Sequence, residues 1–220
     1  MLSWLLPYQH LLEEAAPTTT SRLRDLVAAY RSLLGAGRGQ RTYAYVFLNG
    51  VFHSGVYTWL GLYFYQRYGL GPVGIGLALL GYGVPGFLLG PIIGRAADRW
   101  GRNWLLPIGF GVAGVSALIL IFDVPLVIAA LAVTTLSLGY DMTQPLLSGI
   151  ITALGGKRRG QAMGLNAFTL FAGFGTGSFL FGKVLELGFG LALAVFASSI
   201  LLAALGAILL FRYETSNKER

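Results

Sequence analysis

The sequence predicts an all-α membrane protein with six transmembrane helices, and three observations carry that expectation. Of 220 residues, 55% are apolar, a further 32 are Gly and only 11% are charged, whereas a soluble domain has about 25% charged residues. Five uncharged stretches, 42–66, 68–94, 103–122, 160–182 and 187–211, and a sixth, 124–156, broken only by Asp141, are each long enough to cross a bilayer. A crossing takes ~20 helical residues. The basic residues alternate with these stretches: 14 of the 16 Lys and Arg precede the first, follow the last or sit in the second and fourth loops, leaving only Arg67 and Lys183 on the opposite side. Under the positive-inside rule both termini are cytoplasmic, which suits a multi-pass protein of the plasma (inner) membrane. The net charge of +7 is therefore accounted for by orientation, and a nucleic-acid partner has no support. The chain has no Cys and only His10 and His53, so disulfide frameworks and thiolate metal sites are excluded, and no metal or cofactor is expected.

Residues 1–41 differ from the rest and read as a cytoplasmic linker. The apolar stretch 2–12 lacks the basic start and small-residue cleavage site of a signal peptide. From Ser21, a candidate N-cap, Leu23, Leu26, Tyr30, Leu33 and Leu34 recur at helical spacing. An amphipathic helix on the cytoplasmic face and a solvated helical linker both fit this pattern. The transmembrane domain, 42–211, then has spans at about 42–66, 73–94, 104–122, 124–151, 161–182 and 189–211, and residues 212–220 form a cytoplasmic tail. Turns at 69–72, 123–125 and 186–190 carry the Gly and Pro expected of tight connections.

The first span carries Asn49, His53 and Tyr57 four residues apart on one helical face, with His53 about eleven residues in. Trp59, Tyr63, Tyr65 and Tyr68 near its far end read as an interfacial aromatic belt. The second and fifth spans are rich in Gly, with Gly83, Gly86, Gly90 and Gly94 in one and Gly160, Gly164, Gly173, Gly177 and Gly182 in the other. Such spacing lets helices approach closely. The fourth span holds Asp141 near mid-depth, where a carboxylate costs ~2.5–3.5 kcal/mol on insertion scales and should face protein or water. Thr134, Ser137, Asp141, Gln144 and Ser148 alternate in steps of three and four, making one polar stripe. Pro145 cannot donate to the carbonyl of Asp141, which suits a helix lining a cavity.

The loop after the second span reads Gly94-Arg95-Ala96-Ala97-Asp98-Arg99-Trp100-Gly101-Arg102-Asn103-Trp104-Leu105-Leu106. Gly94, Ala97, Asp98, Arg99, Gly101, Arg102 and Leu106 match the signature loop of the major facilitator superfamily, which the chain resembles from about residue 42 onward. Ala96 and Asn103 depart from that pattern. In physical terms Gly94 allows a close helix end, Gly101 a sharp reversal, and Asp98 among Arg95, Arg99 and Arg102 charge-assisted bonds that differ between conformations. The resemblance implies a conformational latch at Gly94, Asp98, Arg99, Gly101 and Arg102; the plainer reading is a set of topology anchors. It also implies two three-helix repeats and first and fourth helices that line a shared pathway, so Asp141, His53, Asn49, Tyr57 and Gln144 become candidates for substrate contact and proton coupling.

Family members usually have twelve spans and this chain six. The basic segment before the first span resembles their central linker, and Gly177 is followed by Ser178 rather than the Pro of first-half antiporter motifs. The chain is thus similar to a C-terminal half of a drug or sugar exporter, working with a second six-helix half or as a homodimer. Its expected partners are a small-molecule substrate, a proton and the lipid bilayer. A truncated, non-transporting fragment or a regulatory partner of another half is the alternative. An intramembrane serine protease of the rhomboid type is disfavoured, since Gly175-Thr176-Gly177-Ser178 has the wrong order and no His follows it. No nucleotide-binding glycine loop supports an ATP-driven pump, so no enzyme activity is expected.

Overall fold

A computed structural model describes residues 19–214, and among them all regular structure is helical. In chain order the elements are α1 (Thr19–Gly35), α2 (Gly37–Tyr68), α3 (Pro72–Leu79), α4 (Val84–Trp100), α5 (Arg102–Ile119), α6 (Leu126–Gly155), a 3-10 turn (Gly156–Arg158), α7 (Arg159–Leu185) and α8 (Phe189–Leu210). Helix α1 already runs from Thr19, so Ser21 lies within it and does not cap it. The expectation for 2–12 and most of the tail lie outside the described residues.

Local sequence explains where each helix stops. Gly69 takes a left-handed conformation (φ 64°), so that its N–H and that of Leu70 close α2 onto the carbonyls of Tyr65 and Phe64, the usual glycine termination. Pro72 opens α3 at a position whose N–H would be unpaired anyway. The second predicted span is not one helix: it breaks at 80–83, where Gly83 has φ 81° and Pro85 follows within the first turn of α4. The Gly-Tyr-Gly-Val-Pro sequence there combines left-handed freedom with a missing donor. Helix α6 instead passes through Pro145 without interruption.

Among the described residues, four stretches are long and apolar enough to cross a membrane: Pro72–Trp100, Arg102–Ile119, Leu126–Leu185 and Phe189–Leu210. Apolarity therefore marks four where the sequence reading counts six spans. The difference has two sources. The 60-residue stretch contains both α6 and α7, which pack on each other, with Asn166 Nδ2 donating to Ser148 Oγ at 3.2 Å. Helix α2, at 32 residues, is long enough, but its arginines, Asn49, His53 and six tyrosines lower its hydropathy.

The bundle is assembled by backbone contact at glycines. Helices α2 and α7 meet where Gly173 faces Phe47 and Gly50, and Gly177 faces the Val51 carbonyl, with no room for a Cβ at either. Gly109 and Gly139 bring α5 and α6 together in the same way. The expectation of close approach fails at Gly90, Gly94 and Gly160, which meet nothing within 4 Å. The stretch Pro72–Trp100 is also the least packed: 6% of its apolar window is buried, against 39–44% in the other three.

The aromatic belt is corrected. Of its four residues only Tyr65 is well exposed, whereas Tyr63 is buried. Tyr63 Oη donates to Leu120 O (2.9 Å), Tyr68 Oη to Val124 O (2.8 Å) and Trp59 Nε1 to Ser178 O (3.1 Å). At the end of α5 such a donor satisfies a carbonyl that has no partner within its own helix.

Candidate transport site

Thr134, Ser137 and Asp141 of the α6 stripe face the break between α3 and α4, whereas Gln144 and Ser148 turn to α2 and α7. Gly81 and Gly86 lie so close to α6 that a Cβ would collide with Thr134 at the first and with the Asp141 carboxylate at the second. Ser137 Oγ accepts the Gly83 N–H at 2.9 Å and donates to Asp141 Oδ2 at 3.0 Å, and Asp141 also accepts a bond from the Gly86 backbone. Ser137 is buried, as are Asn49 and Thr143, and every one of these side chains has a partner, as buried polar groups require.

The α2 stripe divides between two neighbours. Asn49 Nδ2 donates to Gln144 Oε1 (3.1 Å) and Asn49 Oδ1 accepts from Thr143 Oγ1 (3.3 Å), so Asn49 and Gln144 bind each other across α2 and α6. His53 lies in an aromatic cluster. Its ring stacks on Tyr140 at 3.7 Å between centroids, faces Tyr57 at 5.9 Å and Phe174 at 5.5 Å, and sits 2.7 Å from Tyr82 Oη. Tyr57 in turn packs on Tyr82 at 4.1 Å. The two stripes thus touch directly at Asn49 and Gln144, whereas His53 and Asp141 make no ion pair. They meet through the 80–83 break, with Tyr82 turned to α2 and Gly83 to α6.

A cavity of about 220 Å³ joins this region to the signature loop. It is lined by Gly90 and Gly94 on α4, by Asp98 and Arg102, and by Asp141 and Pro145 on α6. Asp98 has no ion pair among the described residues. Arg95 Nε donates instead to Pro91 O (3.1 Å), Arg99 lies over Trp100, and the Arg102 guanidinium rests against Gly149 of α6. Gly101, with φ 85°, makes the reversal between α4 and α5.

Sequence reasoning missed the strongest polar cluster. Glu214, only 6% exposed, pairs with Arg38 at 2.6 Å and Arg41 at 2.8 Å, and its backbone carbonyl accepts the N–H groups of Arg102 (2.9 Å) and Asn103 (3.2 Å) at the head of α5. Burial pushes the Glu214 carboxyl up, but the bonds to Arg38 and Arg41 outweigh it and hold the group below the usual carboxylate range. The Arg41 guanidinium also stacks on Phe211, 5.1 Å from its centroid. Nothing in the local pattern distinguishes Glu214 from the other acidic residues near span ends.

The decisive comparison is with protein families. The model of the Major Facilitator Superfamily matches residues 42–220, a range that contains the stripes of α2 and α6 and Glu214. The chain belongs to the major facilitator superfamily. No curated protein and no solved structure matches it. As a major facilitator protein it is an integral, multi-pass membrane protein of a family of small-molecule transporters rather than of enzymes.

Proposed function

We propose that this chain is the six-helix C-terminal half of a secondary active transporter that exports a small molecule in exchange for protons, with Asp141 as the proton carrier. Asp141 carries the proposal: a carboxylate near mid-depth on α6, bonded to Ser137 and Gly86 and lining the cavity that reaches Asp98 and Arg102. Such a group has two stable situations, ionised with these donors or protonated when they part. Tyr57, half-exposed beside His53 and Tyr82, supplies an aromatic surface for substrate, while Asn49 and Gln144 hold α2 to α6. Both termini are cytoplasmic, in keeping with the 14 to 2 distribution of basic residues. Large apolar side chains exposed on α4 (Phe87, Leu88, Ile92) and α7 (Phe168, Phe171) suit contact with lipid as well as with a second half or a second copy.

The test uses everted vesicles containing the full chain, an imposed pH gradient and a panel of radiolabelled small molecules. A compound whose flux follows the gradient with the native protein and ceases to follow it with Asp141→Asn is the expected result. Flux that responds equally in both removes Asp141 from coupling, and a panel in which nothing moves favours the non-transporting fragment.

A further inference from the structure

The 80–83 break is held from two sides by bonds of different kinds. Toward α2, Tyr82 meets His53 within an aromatic cluster. Toward α6, the hold consists of the chain Gly83 N–H to Ser137 Oγ to Asp141 Oδ2, with Gly86 bonded to the same carboxylate. Gly83 is the residue that precedes α4, and it has no side chain with which to cap the unpaired amides of the first turn. Ser137 and Asp141 do this from another helix, where Asp or Ser would do it from the chain itself.

We propose that Ser137 is a positioning residue that passes the charge state of Asp141 to the α3–α4 break, so that a proton on Asp141 releases the N-terminus of α4. The proposal rests on the reading of Asp141 as the proton carrier. An ionised carboxylate can only accept, so Ser137 must donate to it, which leaves the hydroxyl lone pairs for Gly83 N–H. The bond is charge-assisted, roughly twice as strong as a neutral one, and negative charge is favoured at a helix N-terminus. A protonated carboxyl brings its own O–H, removes the charge from that end of α4 and competes for the Ser137 oxygen.

Helix α4 is built to respond. With α3 it forms the least buried of the four long apolar stretches, Phe87 and Leu88 are exposed, and glycines in left-handed or extended positive-φ conformations bound it at both ends, Gly83 at φ 81° and Gly101 at φ 85°. Beyond Gly101 the head of α5 is fixed by the Glu214 carbonyl. Movement of α4 would therefore open or close the cavity it shares with α6. The other titratable and charged groups around Asp141 are Asp98 on α4 and Arg102 on α5 across that cavity, Tyr140 beside it on α6, His53 on α2 against Tyr140, and Tyr82 in the break.

The chain has no Cys, so cysteines introduced at Leu88 on α4 and Leu202 on α8, both exposed, would be the only sites for spin labels. Distances are measured on the full chain in phosphatidylcholine nanodiscs between about pH 8 and about pH 3.5, a range that spans ordinary imidazole and carboxyl titration. The native distance shifts on acidification, Asp141→Asn holds the acid distance at both pH values, Ser137→Ala loses the shift and Ser137→Thr, which keeps the hydroxyl, restores it. His53→Gln starts from a different distance, since Tyr82 loses its imidazole partner, but still shifts on acidification because Ser137 and Asp141 are intact. A native distance that does not move, a shift that survives in Asp141→Asn or Ser137→Ala, or one lost in His53→Gln overturns the proposal. Gradient-driven flux that depends on Asp141 without any distance shift defeats this coupling alone, whereas a shift without gradient-driven flux defeats proton-coupled export alone.

Discussion

Replacing Glu214 by Gln removes the negative charge that, among the described residues, joins two arginines and ties the N-terminal end of α2 to the C-terminal end of α8. The carboxylate is nearly fully buried, with its side chain 5% exposed, while the Arg38 and Arg41 side chains are 35% and 21% exposed. Breaking a fully buried pair costs about 3–5 kcal/mol. Water reaches Arg38 and softens that loss, so about 2–3 kcal/mol is expected here after discounting for solvent screening. For a chain of this size that corresponds to a melting temperature lower by roughly 4–12 °C. The assay is thermal unfolding in detergent, followed by loss of the monodisperse chromatographic peak. The pH dependence sharpens it. Because the folded carboxyl lies below its ordinary value, its contribution is fully present above the ordinary carboxylate range and is lost as pH falls through the depressed folded value. The gap between native protein and Glu214→Gln is thus widest near neutrality and closes in acid. Equal melting temperatures at neutral pH, or a gap that persists in acid, would refute the role given to this cluster.

The other expectations are independent of it. Gly177→Val forces α2 and α7 apart at backbone contact and should cost at least ~3 kcal/mol, at or beyond the top of the usual overpacking range, whereas Gly175→Val, two residues away with nothing within 4 Å, should melt like the native protein. Equal losses in the two variants would remove close backbone approach as the cause. A single cysteine at Gln66 should react with an impermeant reagent from outside intact cells and one at Lys157 should not, given the distribution of basic residues; the reverse pattern inverts the topology. Asp98→Asn should lower flux through the assembled transporter by about tenfold, the worth of one charge-assisted bond made in a single conformation, with membrane insertion unchanged. Undiminished flux at equal expression would leave the loop as a topology anchor.

Composition and periodicity were enough to establish a helical membrane protein, and the spacing of Gly94, Asp98, Gly101 and Arg102 was enough to point to the family. Both signals are local. Hydropathy sums neighbours along one helix, and a loop motif is read within a dozen residues. The stripes on α2 and α6 were likewise legible because helical spacing places Asn49, His53 and Tyr57, or Ser137 and Asp141, on one face whatever surrounds it. Which groups those faces meet was not legible. Gly83 and Ser137 are 54 residues apart and Arg38 and Glu214 176 apart, and no local pattern connects either pair. The break at 80–83 shows why: Gly83 and Pro85 permit an interruption, but its shape depends on a hydroxyl and a carboxylate supplied by α6 and a histidine supplied by α2. The sequence alone determined that the chain is helical and apolar, which faces of α2 and α6 are polar, and to which family it belongs, because those follow from residue order. Only tertiary packing decided that Asp141 caps a neighbouring helix and that Glu214 joins three helix ends, because hydrogen bonds and ion pairs form between groups that folding brings within about 3 Å.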